Sequence, residues 1–240
     1  MHPVTGQVGT VSLLARYPVK SMRGERLAQA EVENRGFAGD RQWAVYTTDG
    51  GIGSGKSSRR FRRIDGLLGF RASLAASTSA VPLIESPAGQ RFRADEPEAE
   101  ELLSAAFHQP LRLAREGGIR HHDDSGLHLV TTAEVRKLAE LLGDAVDVAR
   151  FRPNLVLDVP GTGFVEDGWT GRELRLGSEV VIRLGAGMSR CVMVDMAQGP
   201  LDRDGRILKV LGQEHRLLLG LKAEVVRTGT VRQGDLAVLS

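Results

Sequence analysis

Apolar and polar positions alternate in short bursts through the first third of the chain. Residues 9–17, 28–34 and 42–47 mix β-branched and aromatic side chains with polar neighbours, and Gly or Pro punctuates them, which predicts strands and a β-rich opening domain. Residues 81–85 and 91–94 flank Ser86-Pro87-Ala88-Gly89, a turn sequence, so they are expected to pair as a hairpin. Pro97 then lies near the start of a stretch of helix composition, residues 96–106. The period changes after Thr131 and Thr132. Ala133, Val135, Leu138, Leu141 and Leu142 fall on one helical face, with either threonine as N-cap and Gly143 as the stop.

Beyond that helix the short bursts return. Residues 154–159, 173–176, 179–184, 191–194, 223–226 and 236–239 read as strands, and residues 207–211 start a short helix. No regular β-α-β alternation runs through the chain. A mixed α+β, β-rich fold is therefore expected, mostly antiparallel and barrel-like with a few peripheral helices, in preference to a doubly wound parallel sheet. The stretch 75–80, rich in Ala, Ser and Thr, reads as linker-like. The main division is placed between residues 1–117 and 118–240, because Gly117-Gly118 and the polar residues 121–125 precede a new apolar strand, residues 127–130.

Composition narrows the chemistry. At 240 residues the chain can bury a substantial core without staples. Its single cysteine, Cys191, cannot close an intrachain disulfide, and no four-thiolate iron–sulfur cluster or cysteine-rich zinc site can be assembled. The first ten residues lack a signal-peptide pattern, and no apolar run approaches the roughly 20 residues of a spanning helix, so a soluble, cytoplasmic protein with no membrane partner is expected. Net charge is +2, with basic residues concentrated in Arg59-Arg60-Phe61-Arg62-Arg63. That run is either a solvated face or an anion contact, and no nucleic-acid partner is expected. His121 and His122 are adjacent, a spacing that suits a polar loop better than a pair of metal ligands.

Gly50, Gly55, Lys56 and Ser57 satisfy the phosphate-binding pattern G-x-x-x-x-G-K-[ST], and Asp158 at the end of an apolar strand offers a magnesium-orienting acid. Alone, the pattern suggests a nucleotide hydrolase. Its context argues for a Gly-rich hairpin loop, since such a motif joins a buried parallel strand to a helix and the Arg-rich residues after Ser57 make a poor sheet-packing helix.

Three segments combine into something more specific: Tyr17-Pro18-Val19-Lys20-Ser21, Gly39-Asp40-Arg41-Gln42-Trp43 and Arg150-Phe151-Arg152-Pro153-Asn154. With Glu166-Asp167-Gly168-Trp169, Met188-Ser189-Arg190-Cys191 and residues 229–235, they resemble, across essentially the whole chain, the MOSC family with its N-terminal β-barrel domain. The family is similar to the C-terminal part of molybdenum-cofactor sulfurases and includes the amidoxime-reducing proteins. The resemblance implies an N-terminal β-barrel-like domain packed on a MOSC β-barrel, and a molybdenum–pterin cofactor. The family is also associated with pyridoxal phosphate binding.

By that resemblance Cys191 is the catalytic and metal-binding residue, either as a molybdenum ligand in an oxidoreductase acting on N-hydroxylated or related small substrates, or as a persulfide in a sulfur-delivery protein. Both roles need a thiolate. Arg190 supplies nearby positive charge, although a neighbour on a strand points to the opposite face. Lys20, Ser21 and Arg41 resemble the positions that hold the pterin's phosphate, with Asp40 orienting Arg41. Thr131 and Thr132 offer a helix start for an anionic group or simple capping, and Arg152 and Asn154, two apart on a strand, face one side. Asp167, Trp169 and Glu166 fall in a family motif and are read as partly structural, and residues 229–235 as a tight turn without chemistry. Where many relatives carry a second cysteine, three residues before the retained one, this chain has Met188. That excludes an intramolecular disulfide relay, and a separate electron-transfer protein is expected to supply electrons.

Overall fold

A computed structural model describes residues 6–74 and 80–240, so the linker-like stretch, apart from Ala80, lies outside the described residues. Seven strands form a closed barrel: β1 (Gly6–Arg16), β2 (Leu127–Thr131), β3 (Leu155–Asp158), β4 (Glu173–Leu176), β5 (Val180–Ser189), β6 (Leu218–Arg227) and β7 (Leu236–Leu239). They run in the order β3-β2-β6-β5-β4-β7-β1, and β1 pairs back onto β3. All pairings are antiparallel except β2 with β3, between which helix α2 (Thr132–Leu142) carries the chain across. β1 serves both edges of the closure. Its first half pairs with β7 and its second with β3, and irregularities at Gln7/Gly9 and Val11/Leu13 bend it round the barrel.

Alternation along these strands fills the interior. Leu174 and Leu176 on β4, and Val180, Ile182 and Leu184 on β5, meet Leu14, Leu129, Leu157 and Leu239 in one core. Full burial of each large aliphatic side chain contributes about 1.5–3 kcal/mol. Three shorter sheets and a second core, built on Val19, Met22, Trp43, Val45, Ile84 and Phe92, occupy the first half of the chain, with helix α1 (Pro97–Phe107) placing Ala99 and Leu103 against them. β1 lies before residue 117 and closes the barrel, and Gly229–Arg232 pairs with Gln29–Glu33, so the sheets draw on both sides of the 117/118 division.

Several local expectations need correction. The predicted strand at 191–194 is a 3₁₀ turn, Val192–Val194, because Val194 N–H donates to Cys191 O and closes the chain on itself. Arg152 and Asn154 are not two apart on a strand. Arg152 caps the 3₁₀ turn Val148–Phe151 with φ of 54°, and β3 starts only at Leu155. Within 229–235, the first four residues are a strand and only the Arg232 to Asp235 bend is a turn. The Gly50 to Ser57 segment contains the strand Ile52–Ser54 and leads to the strand Phe61–Arg63, which pairs with it in parallel. No helix follows, so no helix N-terminus faces a phosphate there. Asp158, the supposed magnesium acid, is exposed and accepts from Thr132 Oγ1 at 2.9 Å.

Helix α2 starts on a capping box. Thr131 Oγ1 accepts from Glu134 N–H at 3.1 Å while the Glu134 carboxyl accepts from Thr131 N–H at 2.9 Å, and Gly143 ends the helix at φ of 67°. α2 packs with helix α3 (Ile207–Glu214) over a third core of Leu138, Phe151, Val194 and Leu211, which fixes the 3₁₀ turn after Cys191.

Glu134 also accepts from Gly220 N–H at 2.7 Å, and Glu166 accepts from Thr131 Oγ1 at 2.9 Å, leaving two buried carboxyls together. Burial, and for Glu134 the adjacent Glu166 charge, raise both pKa values, so the pair retains a proton that the unfolded chain releases at its ordinary carboxylate pKa. Over that interval the folded state binds more protons, and stability falls as pH rises. Glu166→Gln keeps an acceptor for Thr131 and gives Glu134 an amide donor. Melting temperatures followed from mildly acid to mildly alkaline pH are expected to decline less steeply in this variant, and an unchanged slope would show that the pair holds no extra proton.

Candidate functional site

Between the end of the barrel and the N-terminal sheets opens a cleft of about 830 Å³ including its mouth. Lys20, Ser21, Arg41, Arg152, Asn154, Arg190 and Cys191 all line it. Thr131 and Thr132 do not. Thr131 is buried in its capping box, and Thr132 bonds to Asp158 and Val159. Six cationic side chains and two carboxylates face the cleft, a strong local excess of positive charge in a chain of net charge +2. Field lines concentrate in such a concavity and favour an anionic ligand.

Three non-glycine residues of the cleft take left-handed backbone: Ser21 at φ of 63°, Arg41 at 50° and Arg152 at 54°. Each costs on the order of 1–3 kcal/mol and persists because its surroundings fix it. Arg41 N–H donates to Tyr17 O at 2.8 Å, Lys20 N–H to Trp43 O at 2.8 Å, and Arg152 N–H to Ala149 O at 3.0 Å. The guanidinium groups of Arg41 and Arg152 lie 4.9 and 4.4 Å from the Tyr17 ring centre, so one aromatic side chain aligns two cations. Burial pushes the Tyr17 phenol up to about 12, against the pull of both arginines, and its hydroxyl donates to Pro153 O.

Asp40 orients Arg41 from below through a direct ion pair. Burial alone would raise its carboxyl, but Arg41, His122 and the Tyr17 N–H hold it at about 2. His121 and His122 lie in a loop with polar contacts, but they are buried in it: His121 contacts Tyr46 Oη at 2.6 Å and Arg41 O at 2.9 Å, and His122 lies 3.4 Å from Asp40. Burial lowers the His121 pKa to about 4, so it acts as a neutral brace for the strained Arg41 backbone. Asn154 is also largely committed: its oxygen accepts from His128 N–H and its amide donates to Ala15 O, tying the barrel wall together behind the cleft.

Strand alternation turned Arg190 away from Cys191, but β5 ends at Ser189 and the chain bends there. Arg190 donates to Phe151 O at 2.7 Å, and burial lowers its pKa to about 10 against the opposing pull of Cys191. Its Nε is buried without a partner among the described residues. Arg190 Nη1 lies 3.4 Å from His128 Nε2, whose pKa burial and Arg190 push well below the ordinary value, leaving the imidazole neutral. Cys191 is partly exposed at the start of its turn.

Lys20 is almost fully buried, 4% exposed, and burial lowers its pKa to about 8 against the pull of Asp123, whose carboxylate it contacts at 2.9 Å. Asp123, His128 and Met193 were not singled out from the sequence; only the position of Asp123 in a polar stretch before β2 gave any signal. Lys56, from the phosphate-loop pattern, does reach the cleft, as the second partner of Asp123 at 3.5 Å. Of the basic run, Arg60 donates to the carbonyls of Arg120, His122 and Asp123, Arg62 and Arg63 pair with Asp49 and Asp65, and Arg59 is exposed.

The remaining segments of the resemblance are structural in their contacts. Trp169 is in the barrel core, Asp167 pairs with His215 at 2.8 Å, and Glu166 joins Glu134. Among the described residues no helix is long and apolar enough to cross a membrane, and no three of His, Cys, Asp and Glu gather into a metal-binding group. The donor set of the cleft, with ammonium and guanidinium groups and one thiol, fits a ligand carrying both a phosphate and a thiolate-seeking metal.

The description "MOSC N-terminal beta barrel domain" matches residues 8–96, and "MOSC domain" matches residues 116–237. No curated protein matches the sequence significantly. Among solved structures, the chain is similar in fold to the YuaD protein from Bacillus subtilis, with a TM-score of 0.52 and 12% identity over 99% of this chain and 97% of that one. YiiM from Geobacillus stearothermophilus aligns with 49% of this chain and 55% of its own at 18% identity and a TM-score of 0.37. With both parts matched in order along the chain, it belongs to the MOSC domain family, joined to that family's N-terminal β-barrel domain.

Proposed function

We propose that the protein is a molybdenum-cofactor-dependent oxidoreductase that removes oxygen from N-hydroxylated or related small substrates. The observation that carries this reading is the opening of the single thiol, Cys191, into the same cleft as Lys20, Arg41, Arg152 and Arg190. Cys191 presents the soft donor for the metal, and Arg190 beside it stabilises the thiolate. Lys20, Arg41 and Arg152, with the Ser21 hydroxyl, bind the phosphate end, already oriented by Tyr17 and Asp40. When bound, the molybdenum–pterin group supplies two-electron oxygen-transfer chemistry. A single cysteine leaves no ligands for a four-thiolate iron–sulfur relay within these 240 residues, so electrons reach the cleft from outside them.

Molybdenum analysis of protein purified from a host able to make the cofactor tests the proposal. Stoichiometric metal supports it. Metal-free protein carrying a labile persulfide on Cys191 would replace it with the sulfur-delivery reading.

The pH dependence of anion binding follows from Lys20. Its ammonium is present below about 8 and lost above, so affinity for a phosphate-bearing ligand is expected to fall as pH rises through that value. Titration calorimetry across this range checks it, and a flat profile would remove Lys20 from the anion contact.

A further inference from the structure

The least settled contact in the cleft is the one that neutralises its most buried cation. Lys20 and Lys56 both reach over the Phe61 ring, at 4.5 and 5.3 Å from its centre, and both pair with the single carboxylate of Asp123. The burial of the partners is very unequal. The side chain of Lys20 is 5% exposed, whereas that of Asp123 is 41% exposed. A buried ammonium cannot leave its position, but a carboxylate with this much exposure can rotate into water once another anion pairs with the lysines.

We infer that the Asp123 carboxylate is a displaceable stand-in for a ligand oxyanion: a phosphate or carboxylate group takes its place between Lys20 and Lys56, and Asp123 swings out to solvent. Simple opening without replacement would strand the Lys20 charge in the interior, so departure of Asp123 is coupled to arrival of the anion. The exchange needs only a side-chain rotation. Arg60 grips the backbone carbonyls of His122 and Asp123 at 3.0 and 3.2 Å, and buried His121 anchors the preceding residue to Tyr46 and Arg41. The segment therefore stays in place while one carboxylate moves. Lys56, which the resemblance assigns to no role, becomes the second arm of the subsite, and Asp123 sets its threshold by competing with every incoming anion.

The subsite needs no molybdenum, so its test is separate from that of the oxidoreductase reading. Binding of inorganic phosphate to cofactor-free protein is measured by calorimetry for wild type, Asp123→Asn, and Asp123→Asn with Lys56→Ala. The asparagine variant removes the competing charge with nearly the same shape, and its affinity is expected to rise about tenfold or more, with the gain lost when Lys56 is removed as well. Equal or weaker binding by Asp123→Asn would make Asp123 a plain structural partner of Lys20 and overturn the inference. Lysine acylation mapped by mass spectrometry gives a second measurement on the unaltered chain. Phosphate is expected to protect the more exposed Lys56, and unchanged labelling of Lys56 would overturn the inference without any variant. Repeating the calorimetry on cofactor-loaded protein identifies the source of the anion. Loss of phosphate binding there assigns the subsite to the cofactor's own phosphate, and retention assigns it to an anionic group of the substrate.

Discussion

Under the proposed function, Cys191→Ala is expected to lower the molybdenum content of protein made in a cofactor-producing host by at least about tenfold and to abolish the proposed oxygen removal, because it takes away the thiolate that the protein offers the metal. The chain has no second thiol to substitute. Little else changes. Cys191 is partly exposed at the start of a short turn, and the turn is held by the Val194 N–H to Cys191 O bond and by Val194 in the third core, both independent of sulfur. Melting temperature is therefore expected to stay near that of wild type, since substitutions away from packed cores usually change stability by no more than about 0.5 kcal/mol. Retention of the metal in the alanine variant would show that the cationic wall alone holds the cofactor and would leave Cys191 free for sulfur transfer.

The largest effect on stability is expected at a residue without a side chain. Gly220 sits in β6 at φ of 76°, and a Cβ there would stand 2.4 Å from both His128 Nε2 and Leu129 O. The left-handed conformation costs an alanine roughly 1–2 kcal/mol, and displacing a backbone carbonyl in a closed barrel adds to it, so Gly220→Ala is expected to destabilise by about 3 kcal/mol or more. Gly220 N–H also donates to Glu134, which ties the strand to the capping box of α2. The damage reaches the cleft, because His128 pushed from its place loses its contact with Arg190 beside Cys191. Denaturant unfolding measures the first consequence and the alkylation rate of the Cys191 thiol the second. Gly168→Ala, which meets nothing within 4 Å at ordinary backbone geometry, is the control and should unfold with wild type. Equal stability of the two variants would refute the close packing of His128 on Gly220.

Regular elements were legible wherever local pattern and tertiary role agree. β4 alternates Leu174 and Leu176 inward with charged residues outward, and α2 carries its cap, apolar stripe and terminal glycine in sequence, so both fall close to their expected limits. Strands β5 and β6 were seen only in part. β5 continues through Gly185 and Gly187, and β6 starts before Gly220, positions where low strand propensity hides a strand that only its partners stabilise. The Cys191 turn was misread for the opposite reason. Cys191, Val192 and Val194 have strand composition, yet the chain bends there to put Val194 under α2 and α3.

The sequence alone determined that this is a β-rich chain with one thiol, a basic character at a few points and a set of short segments shared with one family, because composition, periodicity and motif spacing are properties of neighbours along the chain. Only the tertiary structure decided which charges share a space. It set Arg190 on the side of Cys191, drew Lys56 out of a misleading phosphate-loop pattern into the cleft, left Thr131 and Thr132 outside it, and placed Asp123 between two lysines 67 and 103 residues away. Such pairings come from barrel closure and from buried anchors at His121, Asn154 and Tyr17, and no local preference encodes them, since each depends on contacts between residues that meet only after the long-range strands have paired.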